Sequence, residues 1–368
     1  MKRVLLVTND FPPRVGGIQN YLWNIYSRLD PDSVAVLAPA FPGDVAYDRS
    51  QPFAIHRWPG RVYWPTPALS RRVGQLAREH RADAVAFGAV LPMNLIGLDV
   101  PSIVHTHGFE VAWARVPALV QLLRRIGKQA MLVTVVSEYT RRFIDRALGT
   151  GVPVELLRTG VDLERFHPGV DGSEVRKRHG LAGRPVVAHV SRLVARKGQD
   201  VLIRAMEIVR REVPDAAALI VGGGSGEVRL RRIAAEHDVR DAVVFAGEVR
   251  EDALAAHYAA AEVFAMPCRS RWADLEVEGL GLVYLEAQAC ARPAIAGDSG
   301  GAPEAVVPGE TGFVVPGSDH RVLAERLVEL LGDPARARAM GEAGRRFVEA
   351  NHRWENVVAR YVGMLDRA

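Results

Sequence analysis

The 368-residue chain is predicted to be α/β, built from two doubly wound Rossmann-like domains, each a parallel sheet with helices on both faces. Three observations predict this. Short apolar, β-rich runs alternate with helical patterns along the whole length. The alternation occurs as two separate series. Between them lie the breaker-rich stretches His167-Pro168-Gly169 and Gly180-Leu181-Ala182-Gly183-Arg184-Pro185. The length suits two cores better than one.

The first series has strand candidates at Val4–Thr8, Val34–Ala38, Ala84–Phe87, Ile103–His105 and Leu132–Ser137, with helical patterns such as Ile18–Leu29 and Ala68–Arg81 between them. The second has candidates at Val186–Val190, Ala218–Val221, Val243–Ala246, Val263–Met266, Ala294–Ala296 and Phe313–Val315. Helices follow at about 319–331, 334–350 and 353–366. The expected domains are 1–167 and 168–350, with a final helix, about 351–368, packing back on the first. Ligands in such folds bind beyond the carboxyl ends of the strands, so two facing domains would share one cleft.

Composition excludes several classes. Hydrophobic residues make up 48% and charged residues 24%, an ordinary globular mixture. No apolar run reaches the roughly 18 residues of a membrane span, and Met1–Val7 reads as a first strand rather than a signal peptide. Cys268 and Cys290 lack the paired spacing of a metal site and read as reduced thiols of a cytoplasmic protein. The net charge of +4 is uneven: residues 1–167 carry 20 Lys/Arg against 14 Asp/Glu, and the remainder 27 against 29. That excess either steers an anionic partner to the first domain or is an Arg-rich solvated surface.

Four segments carry chemistry. In Glu278-Gly-Leu-Gly-Leu-Val-Tyr-Leu-Glu286, Gly279 and Gly281 disfavour a continuing helix, so one starts near Leu282 and runs to about Ala291. Free N–H groups of the Gly279-Leu280-Gly281-Leu282 turn make an anion site. Glu286 suits vicinal hydroxyls such as a ribose, and Glu278 reaches hydroxyls on the other side of the phosphates. The second segment, Ser191-Arg192-Leu193-Val194-Ala195-Arg196-Lys197-Gly198, sets three cations just past a strand, where Arg192 and Lys197 can neutralise a diphosphate without a metal. In the third, Gly16 and Gly17 open a helix and offer a second anion contact, though without the GxGxxG dinucleotide pattern. The fourth is His105-Thr106-His107-Gly108. Two histidines alone make a weak metal site, but His107 is a candidate to touch a transferred group.

With these residues in hand, the chain resembles family 4 glycosyltransferases, retaining enzymes of the GT-B fold. The resemblance covers essentially the whole length. Within that family it is similar to the actinobacterial phosphatidylinositol mannosyltransferases, through Met266-Pro267-Cys268-Arg269, Glu276 to Cys290, and Ser299-Gly300-Gly301-Ala302-Pro303-Glu304. Asp298, Ala305 and Arg271-Trp272-Ala273-Asp274 depart from the pattern and bear on the acceptor more than the donor. The resemblance implies Arg192 and Lys197 on the diphosphate, Glu286 on the ribose, Gly16 and Gly17 on phosphate, Glu278 and His107 on the sugar, and Val249 beside the base. It further implies GDP-mannose as donor, no metal or other cofactor, and front-face transfer in α-1,6 linkage to a phosphatidylinositol monomannoside. The enzyme would then sit at the cytoplasmic face of the membrane and have no nucleic-acid partner. Segment 113–146, with seven Arg/Lys and two acids, is either an amphipathic surface on anionic lipid or a core-facing helix with a basic exterior.

Two motifs mislead. Gly297-Asp298-Ser299-Gly300-Gly301 spells a serine-protease nucleophile but lacks the all-β context, and reads as a Gly-rich loop before a helix near Pro303. Asp30-Pro31-Asp32 matches a metal-binding Asp-X-Asp but reads as a turn. The rival functions are a same-fold transferase using a UDP-sugar or a soluble acceptor, a nicotinamide-dependent oxidoreductase, and a non-catalytic sugar-nucleotide binder.

Overall fold

The computed structural model describes residues 1–60, 62–90, 98, 100–149 and 151–367. It divides into two compact units, Met1–Gly160 with Trp354–Ala368, and Val161–Arg353.

The first unit runs β1 (Val4–Val7), α1 (Gly17–Tyr26), β2 (Val34–Pro39), α2 (Asp44–Arg49), β3 (Ala54–Trp58), α3 (Pro67–His80), β4 (Ala84–Phe87), β5 (Ser102–His105), α4 (Glu110–Trp113), α5 (Pro117–Gln129), β6 (Ala130–Val135), α6 (Glu138–Leu148) and β7 (Val154–Leu156). The sheet order is β3-β2-β1-β4-β5-β6-β7, all parallel. β1 is buried along its whole length, as the continuous apolar run Val-Leu-Leu-Val requires of a strand covered on both faces. Leu5 and Val7 enter one core with Val85 and Val133, while Val4 and Leu6 enter the other with Leu22 and Ile25. Thr66 caps α3 by accepting from the Leu69 N–H, with Pro67 in the first turn. β3 and β7 add to the expected strands. β3 carries His56 and Arg57 on an edge, and β7 has three residues, so neither shows an apolar run.

The second unit runs α7 (Ser173–Arg178), β8 (Val186–Val190), α8 (Gln199–Glu212), β9 (Ala217–Val221), α9 (Glu227–Glu236), β10 (Val243–Gly247), α10 (Leu254–Ala259), β11 (Val263–Met266), α11 (Leu282–Ala289), β12 (Ala294–Gly297), β13 (Gly312–Val315), α12 (His320–Gly332) and α13 (Pro334–Asn351). Its parallel sheet has the order β10-β9-β8-β11-β12-β13, so the winding reverses between β8 and β11. That is the switch point where such sheets bind ligands. Asp319 and Asp333 cap α12 and α13 through backbone N–H groups.

The last helix, α14 (Trp354–Arg367), belongs to the first unit, where Tyr361 sits on Tyr26 with hydroxyl oxygens 2.6 Å apart. The chain changes unit between Gly160 and Val161, not at 167/168. Val161 is bridged to Arg353, and Pro168-Gly169 is a turn inside the second unit, closed by Val170 N–H donating to the His167 carbonyl. The helix expected near Pro303 is a single 3-10 turn, Ala302–Ala305, which ends as Val306 becomes extended.

Candidate active site

The loops after β8, β11 and β12 of the second unit hold most of the expected donor-side residues. The loop after β8 is built before it is charged. His189, fully buried in β8, bonds the Ala265 carbonyl through Nδ1 and the Ser191 hydroxyl through Nε2, both at 2.9 Å. Gln199 donates to that hydroxyl and to the Arg192 carbonyl at 2.8 and 2.9 Å. Gly198 closes the turn at φ 80, where an added Cβ would lie 2.0 Å from the Pro267 carbonyl oxygen, so only glycine fits. Arg192 is left exposed, and among the described residues no partner engages its side chain.

Lys197 and Arg196 converge on one carboxylate. Glu278 Oε2 accepts from Lys197 Nζ at 2.7 Å and from Arg196 at 2.6 Å. Burial opposes ionisation of Glu278, but the two cations outweigh it and hold the carboxyl below its ordinary range. The expectation treated Lys197 as a diphosphate ligand and Glu278 as a separate sugar ligand. The structure joins the two and adds Arg196, which the same basic motif contained without a role. Together with Arg192, the loop sets three cations against one carboxylate, a local excess of two positive charges.

The main chain at Glu278 is gripped by the loop that mimics a protease nucleophile. Glu278 N–H donates to the Ser299 hydroxyl at 3.2 Å, and Gly301 N–H donates to the Glu278 carbonyl at 2.9 Å. Gly300 has φ 58, and an added Cβ would stand 2.1 Å from that carbonyl oxygen. The loop is therefore a cradle for Glu278.

α11 starts at Leu282 as the Gly-Leu-Gly-Leu pattern predicts. Gly281 is left-handed at φ 87 and no side chain caps it. Among the described residues no acceptor takes the Leu282 or Val283 N–H groups, so the helix start is open to an anion. Leu280 is buried in the core, and Gly279 lets the chain turn. Glu286 lies one turn on. Its Oε2 accepts from the Tyr258 hydroxyl at 2.7 Å, a partner the sequence did not reveal, because 28 positions separate the two. Burial pushes the Glu286 carboxyl up to about 7. Val249, in the loop after β10, is half-buried against the same core as Leu282.

The first unit holds the remaining candidates. Gly16 and Gly17 begin α1 without a side-chain cap, and Gln19 packs so close that a Cβ on Gly16 would lie 2.2 Å from its Oε1. Gln19 is anchored by Asp10 at 2.7 Å. His107 Nε2 donates to the Gly88 carbonyl at 2.7 Å, which leaves Nδ1 as an acceptor. Burial lowers the His107 pKa to about 4, so the ring is neutral. Its turn is tied by Glu110, whose Oε2 accepts from the N–H groups of His107 and Gly108 at 3.0 Å each. His105 points into the core instead, between the Tyr26 hydroxyl and Thr134 Oγ1, and has a structural role. Asp30 caps a 3-10 turn by accepting from Asp32 N–H and the Ser33 hydroxyl, as the turn reading of Asp30-Pro31-Asp32 expects.

A doubly wound pair of units, with a helix start and a cationic loop at the carboxyl edge of the second, defines a GT-B glycosyltransferase. The chain matches the Glycosyltransferase Family 4 model over residues 15–165 and the Glycosyl transferases group 1 model over residues 171–347. It is 45% identical, over 98% of both chains, to the GDP-mannose-dependent α-(1-6)-phosphatidylinositol monomannoside mannosyltransferase of Mycolicibacterium smegmatis. It is 46% identical, over 99% of this chain and 98% of the other, to the GDP-mannose-dependent monoacylated α-(1-6)-phosphatidylinositol monomannoside mannosyltransferase of Corynebacterium glutamicum. Among solved structures, Anabaena HepE in complex with UDP superposes with a TM-score of 0.85 at 20% identity, covering all of both chains. The protein belongs to glycosyltransferase family 4.

Proposed function

We propose that this enzyme moves mannose from GDP-mannose to the inositol 6-position of a phosphatidylinositol monomannoside, with retention and in α-1,6 linkage. The observation that carries the reading is the 45–46% identity, over 98% or more of this chain, with relatives named for that reaction. The local geometry supports the donor half. A leaving diphosphate gains charge as the glycosidic bond breaks, and an excess of two positive charges at Arg192, Arg196 and Lys197 matches it without a metal. The free N–H groups at Leu282 and Val283 meet the phosphates, Glu286 accepts from the ribose hydroxyls, and the loop at Val249 lies beside the base. Glu278 and neutral His107 accept from sugar hydroxyls, and Gly16 and Gly17 supply a further phosphate contact. In front-face transfer the leaving oxygen takes the acceptor proton, so the protein aligns the reactants and needs no separate base.

A lipid acceptor calls for a lipid-facing surface. Among the described residues no helix is long and apolar enough to cross a membrane. On α5, Leu123 and Ile126 enter the core, Val120 and Leu122 remain partly exposed, and Arg124, Arg125 and Lys128 face outward. This reading makes that basic exterior a peripheral contact with the inner leaflet. Labelled GDP-mannose offered with phosphatidylinositol monomannoside, other lipids and soluble sugars tests the reaction. Product only with a soluble acceptor, or only from a UDP-sugar, overturns it. Sedimentation with vesicles unaffected by anionic lipid or by salt overturns the membrane contact.

A further inference from the structure

A second cationic site lies at the opposite, amino edge of the second unit's sheet. Gly183–Pro185 lead into β8, Glu262 stands just before β11, and Arg292 just before β12. Between them and the start of α13 is a cavity of about 380 Å³, and a neighbouring hollow of about 390 Å³ shares Arg292 and Arg338 with it. Six arginines and two glutamates line the pair of hollows. Three of the arginines are spent inside the fold. Arg176 pairs with Glu262, Arg184 donates to the carbonyls of Asp215, Ala216 and Asp241, and Arg345 to Glu349 and the carbonyls of Phe166 and Ala289.

The other three are not spent. Arg292 donates to the Ala259 carbonyl at 3.1 Å, but its Nε is buried without an acceptor. Burial pulls the guanidinium pKa down, and the Glu262 charge offsets that only in part. Its nearest acid, Glu262, already serves Arg176 and the Val186 N–H. Arg338 and Arg346 are exposed, and no partner among the described residues holds them. They stand eight positions apart on α13, hence on one face, with Glu342 between them.

We propose that Arg292, Arg338 and Arg346 form a second anion site, which binds the phosphoryl group of a phosphate ester. Three guanidiniums against Glu342 leave two positive charges, the charge of a phosphomonoester, and planar forked donors match its oxygens. Arg292 Nη1, which makes no hydrogen bond among the described residues, then donates to a phosphoryl oxygen, and the hollow on either side takes the organic part. The site lies away from the Lys197–Glu278 loops, so occupancy acts on the unit and not on the transferred sugar. The same phosphoryl chemistry is found in soluble phosphate esters and in lipid headgroups.

The test is calorimetric titration of the full chain with pyrophosphate in an R192A/R196A/K197A background, which removes the donor-side cations. Binding that survives there, and weakens roughly tenfold or more on adding R338Q/R346Q, establishes the site, with R71Q/R72Q as a control for general charge. A parallel arm uses phosphatidylcholine vesicles with and without phosphatidic acid. Loss of phosphatidic-acid vesicle binding together with pyrophosphate binding in R338Q/R346Q identifies a headgroup ligand, and loss of pyrophosphate binding alone a soluble ester. R338Q/R346Q binding both probes as tightly as its parent overturns the proposal, and so does an equal loss in R71Q/R72Q.

Discussion

The Lys197 ammonium lies 2.7 Å from Glu278 Oε2, and the two groups, 81 positions apart, are both largely buried. Neither can be changed without altering what the other faces. Lys197→Ala removes a diphosphate cation and leaves Glu278 held by Arg196 alone. Turnover should fall about 10²–10³-fold, within the range for loss of one transition-state donor. In K197A/E278Q the losses should be smaller than the sum of the single effects, because the pair is coupled. Initial rates of labelled mannose transfer measure both. Strictly additive losses would show that the two residues act separately.

The grip on Glu278 predicts a second effect. Gly300→Ala pushes a methyl group into the Glu278 carbonyl from a left-handed backbone position. Turnover should fall at least roughly tenfold, with the loss in kcat exceeding that in nucleotide affinity. Ser299→Ala loses the hydroxyl's hydrogen bonds with the Glu278 N–H and the Ser270 hydroxyl and should cost about 1–3 kcal/mol of stability, read by denaturant unfolding.

Glu286 gives a pH dependence. Burial raises its carboxyl from the ordinary 4.5 to about 7, so between those values the folded chain binds a proton that the unfolded chain does not. This carboxyl's contribution to stability is therefore greatest below pH 4.5 and declines by up to roughly 3 kcal/mol as pH rises to 7. Glu286→Gln should remove that decline, as thermal melts across the window would show. An ionised Glu286 accepts from both ribose hydroxyls, so donor KM should fall as pH passes 7 in the parent chain and stay flat in the variant.

His107 behaves in the opposite sense. Its pKa is pushed down from 6.5 to about 4, so its contribution to stability is complete above 6.5 and is lost as pH falls towards 4. The neutral ring with Nδ1 free should hold the sugar but not the nucleotide. His107→Ala should raise donor KM roughly tenfold while calorimetry shows GDP affinity unchanged. An equal loss of GDP affinity would move His107 out of the sugar subsite.

Trp354 opens α14 in the first unit's core, where only 4% of its surface is exposed and its ring fills the space beside Gly160. Trp354→Ala should cost about 3–5 kcal/mol of first-unit stability, measured by denaturant unfolding.

Much of this was legible because the signals are local. β1 and β8 are continuous apolar runs, and the α11 start is written in Gly279 and Gly281. The basic motif 192–197 names its cations directly. What stayed hidden depends on residues far apart in sequence. Tyr258 reaches Glu286 across 28 positions, and Arg196 reaches Glu278 across 82. Ser299 could be recognised as part of a Gly-rich loop, but its partner is a main-chain N–H with no sequence signature. β3 escaped because an edge strand can carry Arg57, which binds Asp48 rather than entering a core.

The return of α14 to the first unit sets an order of events during synthesis. Residues 1–160 leave the ribosome with the groove for Tyr361 and Trp354 unfilled, and all of 161–353 must follow before the missing helix is made. The second unit is contiguous and can close as soon as it emerges, whereas the first waits with Tyr26 and Leu22 uncovered. The amino-terminal half is therefore the last to be finished, and the part of the nascent chain most in need of shielding by a chaperone.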